Sequence, residues 1–293
     1  MYRIIIGFCL LIIFSACEKN IDFDLKNSED VLVVDAGIEN DRPPIVVLTK
    51  SLDFFGTLTP ELLVNSFVRN AEVTISNGVL THKLREYATD LGGGITVYTY
   101  TIDTANLSTA FLGAFNTHYT LNIKSEGKVY TASTTIPPLA KKADSIWWKP
   151  VPYTDDTTKV DLMARSTDPK GLGNYIRYFT RRNSGPFLPG ENSVFSDQVI
   201  ENTTYDTQVD PGVDRNNPVP YDSNYFKRGD TVTLKLCNID KGTYTFWSSW
   251  EFAFQSIGNP FSQPNKVIGN ISNGALGDFY GYAAFYKTLI IPK

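Results

Sequence analysis

The feature that most constrains this chain is a series of short runs in which apolar and polar residues alternate, each closed by Gly, Pro or Asn. Ile95-Thr96-Val97-Tyr98-Thr99-Tyr100-Thr101-Ile102 is the cleanest. Successive side chains of a strand point to opposite faces, so period-two alternation of β-branched and aromatic residues predicts strands with one buried face. Residues 31–38 and 45–48, split by Pro43-Pro44, read the same way, as do 71–76, 79–87, 119–124 and 129–134. Asn77-Gly78 predicts a hairpin whose two turn residues both take positive φ. Gly92-Gly93-Gly94 is a loop, because the lysine and helix start that a phosphate cradle requires do not follow it. About seven strands within residues 31–136 predict an immunoglobulin-like or transthyretin-like β-sandwich.

Pro137-Pro138-Leu139-Ala140-Lys141-Lys142 reads as a boundary, prolines followed by charge, giving a linker over 137–144 and a second domain over 145–293. That domain opens with a strand carrying Trp147 and Trp148, whose side chains point to opposite faces; they are candidate ligand-facing aromatics. Residues 183–228 are rich in Asn, Asp, Pro and Gly and predict a long irregular loop, a type of segment that is usually functional or mobile. Within it Asp206, Asp210 and Asp214 offer oxygens of the kind calcium takes, although their spacing is not that of an EF-hand and a plain solvated loop explains them equally. Arg228-Gly229-Asp230 is read as a turn before a strand. In residues 243–257, Phe246, Trp247, Trp250, Phe254 and Ile257 recur at helical spacing, and Gly258 is placed to stop the helix. Its aromatic stripe suits packing on the second sheet better than a sugar-stacking platform. The predicted fold is mainly β, an N-terminal sandwich followed by a second β domain carrying one aromatic α-helix.

Residues 1–16 have the form of a secretory leader: Arg3, an apolar run to Phe14, then the small pair Ser15-Ala16 directly before Cys17. The run is too short to span a bilayer. The arrangement resembles a bacterial lipoprotein signal, which makes Cys17 the lipid-bearing first residue and 17–30 an acidic tether; Phe14 stands where such signals usually carry Leu. Glu18, Asp22 and Asp24 resemble the acidic export signal that sends Bacteroidetes lipoproteins to the outer face, and they equally suit a solvated tether. The chain carries 27 basic and 31 acidic residues, and only Arg3 falls within the leader. That balance excludes a basic nucleic-acid footprint. With Cys9 in the leader and Cys17 lipidated, Cys237 has no partner for a disulfide and reads as a small buried residue.

Several strings together resemble one family. They are Val33-Val34-Asp35-Ala36-Gly37-Ile38, Val68-Arg69-Asn70-Ala71-Glu72-Val73, Asp168-Pro169-Lys170-Gly171 with Asn174-Tyr175, Phe195-Ser196-Asp197, Gly229-Asp230-Thr231-Val232, and the closing segment from Asn259 to Tyr282. The chain is similar over nearly its whole mature length to the Bacteroidetes lipoproteins catalogued as domain of unknown function 4249. The resemblance implies an outer-membrane, lipid-anchored protein found beside TonB-dependent receptors that import large nutrients, and the acidic residues after Cys17 slightly favour the outward over the periplasmic face. It carries over no site residues. Where members tend to have an aromatic, this chain has Asp278, which the reading takes to leave the fold unchanged.

The function expected is therefore an accessory ligand-binding or docking partner of a TonB-dependent nutrient receptor. The alternatives are a structural or adhesive surface lipoprotein and a hydrolase. His82 and His118 are the only histidines, and there is no Gly-x-Ser-x-Gly elbow or His-Glu-x-x-His helix. A carboxylate-pair hydrolase needs only two converging acids. No cofactor is expected.

Overall fold

The computed structural model describes residues 30–52, 59–198, 202–217, 224–259 and 266–293. The strands of the first half are β1 (Leu32–Glu39), β2 (Ile45–Lys50), β3 (Glu72–Ser76), β4 (Thr81–Asp90), β5 (Thr96–Ile102), β6 (Thr117–Ser125) and β7 (Lys128–Ile136), with a short helix α1 (Pro60–Ser66) between β2 and β3. The alternation that predicted them is the alternation of their burial. On β1, Leu32, Val34, Ala36 and Ile38 are buried, while the residues between them are not. Strand β4 turns the corner of a sandwich-like layout: Thr81–Lys83 pair with β3 and Leu84–Asp90 with β5. The apolar faces close over one core that includes Val73, Tyr100, Tyr119, Leu121 and Ile123. The β3–β4 hairpin forms where Asn77-Gly78 predicted it, but by different chemistry. Only Gly78 has positive φ, and Asn77 instead accepts the backbone N–H groups of Val79 and Leu80 in a longer turn.

The second half contributes β8 (Ala143–Pro150), β9 (Lys159–Thr167), β10 (Tyr175–Arg182), β11 (Leu188–Ser196), β12 (Thr204–Val209), β13 (Phe226–Lys227), β14 (Thr231–Ile239), helix α2 (Lys241–Gln255) and β15 (Leu276–Ile290). The stretch read as one long loop thus holds strands β11, β12 and β13. Each pairs at a sheet margin, β11 on β10 and β12 and β13 on β9, where no buried alternation is needed to hold a strand. β9, Ile176 and Tyr178 of β10, and Val232, Leu234 and Leu236 of β14 enclose a second core.

Two separate domains were expected, divided at 137–144; instead residues 31–293 form one compact unit. The cause is β15, which runs unbroken from Leu276 to Ile290. Its first half runs parallel to β1 and its second half antiparallel to β14, so a single eleven-stranded path joins β11 at one end to β7 at the other. Phe279 and Ala283 fill the first core and Phe285 and Leu289 pack on the second. Lys141, read as solvated linker charge, is buried. Its ammonium lies 2.7 Å from Asp168 Oδ1, and its backbone exchanges hydrogen bonds with the Asn238 side chain at 2.7 and 2.8 Å. Removing one member of such a sealed pair leaves the other charge uncompensated, so the supposed linker is a fixed seam between the halves.

Candidate functional site

The face of β1 opposite the first core carries Val33, Asp35, Gly37 and Glu39. On the neighbouring parallel strand β15 their partners are Leu276, Asp278, Tyr280 and Tyr282. Helix α2 lies over these rungs. Asp240 starts it: Oδ1 accepts the Thr243 N–H at 2.8 Å, while Oδ2 accepts Thr134 Oγ1 and the Thr135 N–H of β7 at 3.1 and 2.9 Å. One carboxylate therefore caps the helix and pins it to the sheet. The Tyr280 ring occupies the space a side chain at position 37 would need, since a Cβ on Gly37 would fall 2.3 Å from its Cε2. Glycine there is what lets the ring lie flat on β1.

Charged groups in this layer are held in specific ways. Arg177 is buried, donates to Ser193 Oγ at 3.1 Å and Tyr282 Oη at 2.6 Å, and stacks its guanidinium 3.3 Å from the Trp247 ring centroid. Ser193 in turn donates its N–H and hydroxyl to Glu251, and Arg215 stands 3.7 Å from that carboxylate. Lys235 pairs with Glu39, which also accepts from Tyr286. Each of these charges has a partner.

Asp35 and Asp278 differ. Asp35 is open to solvent, yet the protein around it displaces enough water to push its pKa up, against the pull of the Tyr280 hydroxyl and of Arg177. Asp278 is 2% exposed and neither carboxylate oxygen has a hydrogen-bond partner. The adjacent N–H of Phe279 is already given to Asn270 Oδ1 at 2.9 Å. Desolvation, then the charges of Asp240 and Asp35, raise Asp278 to about 7 against the opposing pull of Arg177. The Thr243 hydroxyl and the Trp247 indole N–H, on the same helix, are likewise buried without partners.

One pleat further toward the start of β1, the Val33–Leu276 rung opens into a groove of about 570 Å³ between α2 and residues 266–277. Phe246, Trp250, Ile268 and Ile271 complete its apolar lining, and exposed Lys266 is the one charge in it. The far wall is tied at both ends. Ile268 donates its N–H to Ser249 Oγ at 3.0 Å, and Asn270 brackets Phe279 through its amide. Beyond the groove the α2 stripe outruns the sheet: Trp250 and Phe254 stack at 5.2 Å beneath Arg215, and Phe254 and Ile257 are exposed.

The residues singled out from sequence fall elsewhere. Cys17, Glu18, Asp22 and Asp24 lie outside the described residues. Trp147 and Trp148 are half-buried on β8. Trp148 packs on the second core with Arg228 4.6 Å over its ring, and Arg165 stands 5.9 Å from that of Trp147, so neither opens onto the groove. Asp206, Asp210 and Asp214 do not form a calcium site, and no acidic or histidine cluster able to hold a metal occurs among the described residues. Asp206 is committed to a two-point pair with Arg165 at 2.7 and 2.8 Å, and Asp214 accepts the N–H of Asn216. His82 is spent at both nitrogens, on Thr109 Oγ1 and on the Asp103 N–H, and His118 contacts only Thr135. Cys237 is buried, which drives its thiol up to about 12. Arg228-Gly229-Asp230 is a turn whose Asp230 accepts the Lys227 N–H. The helix stripe was visible in sequence; the Asp35–Asp278 rung was not, because it joins residues 243 positions apart.

A family model described as Domain of unknown function (DUF4249) matches residues 18–288. No curated protein matches the chain.

Proposed function

We propose, for a chain that belongs to the DUF4249 family, that it is an outer-membrane lipoprotein tethered through Cys17 and serving as an accessory binding partner of a TonB-dependent nutrient receptor. The observation that carries the binding role is the overrun of the α2 stripe. Phe246 is 8% exposed, whereas Phe254 in the last turn of the helix is 40% exposed and Ile257, just past the helix end, 63%. Exposed contiguous apolar surface of this kind marks an interaction site. Arg215 beside the stacked rings is the residue type that anchors interface centres. The leader motif and the setting implied by the family resemblance supply the membrane and the receptor. Among the described residues no helix is long and apolar enough to cross a membrane.

A hydrolase is less well supported, because both nitrogens of His82 are occupied and Asp278 is almost fully buried. The test is capture of tagged protein from solubilised outer membrane, with bound proteins identified by mass spectrometry. A TonB-dependent receptor is expected, and its recovery is expected to fall at least fivefold with Phe254→Ser plus Ile257→Ser. Recovery of abundant porins alone overturns the reading. Cys17→Ala is expected to move the protein out of the membrane fraction; retention there refutes the anchor.

A further inference from the structure

We propose that the groove between α2 and residues 266–277 binds a small organic cation, an apolar body carrying a primary ammonium group, with the ammonium at Asp35. The proposal stands apart from the anchor and the receptor, so either can fail alone.

Three independent features converge on one ligand chemistry. The groove is large enough for a small molecule, and apart from Lys266 its lining is uncharged, with Val33, Phe246, Trp250, Ile268, Ile271 and Leu276 as its apolar wall. The next rung of the same two strands, about 7 Å along at the usual strand rise, carries two carboxylates on the same face. Of these, Asp35 is reached by solvent and keeps acceptor capacity for a ligand. Asp278 directly behind it is the third feature. A buried carboxylate with neither oxygen paired is costly to keep and stabilises nothing that the chain itself supplies. Its negative charge would reinforce a cation held at Asp35, through a region of low dielectric. An anion is repelled by both carboxylates, and a neutral amphiphile makes no use of them. Lys266 is the one charge in the groove lining and repels an ammonium there, and since both carboxylates lie one rung outside that lining, the cationic end belongs at Asp35 and the apolar body in the groove.

Three further charges act on the pair. Arg177 opposes the rung's negative charge through space, but its hydrogen bonds go to Ser193 and Tyr282 and its face to Trp247, and Asp278 receives none from it. Asp240 adds negative charge at the start of α2, and Glu39 is neutralised by Lys235. An ammonium arriving at Asp35 favours the charged form of Asp278, so binding releases a proton near neutrality and tightens as pH rises from 6 to 8, where an alkylamine keeps its charge throughout.

The experiment uses the full-length chain carrying Cys17→Ala, which dispenses with detergent. Hexylamine, hexanol and hexanoate are titrated by calorimetry, with intrinsic tryptophan fluorescence as a second signal. Hexylamine is expected to saturate one site and to bind at least tenfold more tightly than either analogue. Asp35→Asn and Ile268→Lys are each expected to weaken it about tenfold, with far-UV circular dichroism confirming the fold. Asp278→Asn is expected to keep weaker binding that no longer varies between pH 6 and 8. Equal affinity for hexylamine and hexanol overturns the proposal, as does unchanged hexylamine binding in folded Asp35→Asn or the absence of saturable binding at millimolar amine.

Discussion

Strands β1 and β15 show two different chemistries on their two faces. Toward the first core they present Leu32, Val34, Ala36 and Ile38 opposite Phe279 and Ala283, all buried and all apolar. Toward α2 the same strands present Asp35, Glu39, Asp278, Tyr280 and Tyr282, with charges, hydroxyls and an unpaired carboxylate. The backbone ladder is shared, so the difference lies wholly in alternate side chains. Period two lets one pair of strands hold the fold with one face and present a polar site with the other. Perturbing adjacent residues therefore separates the two roles without moving the strands.

The largest effect belongs to the apolar face. Phe279 is fully buried, and Phe279→Ala removes its transfer energy and leaves a cavity between two packed layers. The expected cost is about 3–5 kcal/mol in urea unfolding. A loss below about 1 kcal/mol would mean that the face is not the core it looks to be. The neighbouring Asp278 is expected to act through pH. Burial keeps it protonated to about 7 in the folded protein, against about 3.9 unfolded. Between those values the folded state holds the extra proton, so stability falls as pH rises through the window and levels off above it. The slope approaches about 1.4 kcal/mol per pH unit at its steepest. Unfolding midpoints measured from pH 4 to 8 should show this fall, and Asp278→Asn should flatten it. An identical profile in the variant would mean that other groups carry the dependence.

Much of this was legible in the sequence because it is local. Thr96–Ile102 announced a strand by alternation, and α2 announced itself by the spacing of Phe246, Trp247, Trp250 and Phe254. What could not be read depends on contacts across the chain. Nothing in residues 276–283 says that they will run parallel to β1, and that pairing alone turns two expected domains into one unit. Lys141 resembles linker charge until Asp168 and Asn238 close around it. Strands β11 and β12 lack a buried face along most of their length, so they carry no alternation to detect. Asp278 was noticed only as a departure from an aromatic. Its unpaired state is a property of what packs against it, which no single stretch of sequence encodes.

The smallest expected effect gives the sharpest form of the comparison, because it applies one chemical change to two neighbours. Val34 is 1% exposed and faces the core; Val33, half-buried, lines the groove. Valine and threonine have nearly the same shape, so replacement tests only whether a hydroxyl can be accommodated. At Val34 the hydroxyl enters an apolar core without a partner and should cost about 1–3 kcal/mol. At Val33 it meets solvent at the groove, and the change should stay within about 0.5 kcal/mol. Chemical denaturation of the two variants in parallel measures the difference directly. Equal losses would show that the α2 side is sealed as tightly as the core, and the open groove could not then admit a ligand. A neutral Val33→Thr beside a costly Val34→Thr assigns stability to one face of β1 and leaves the other free to bind.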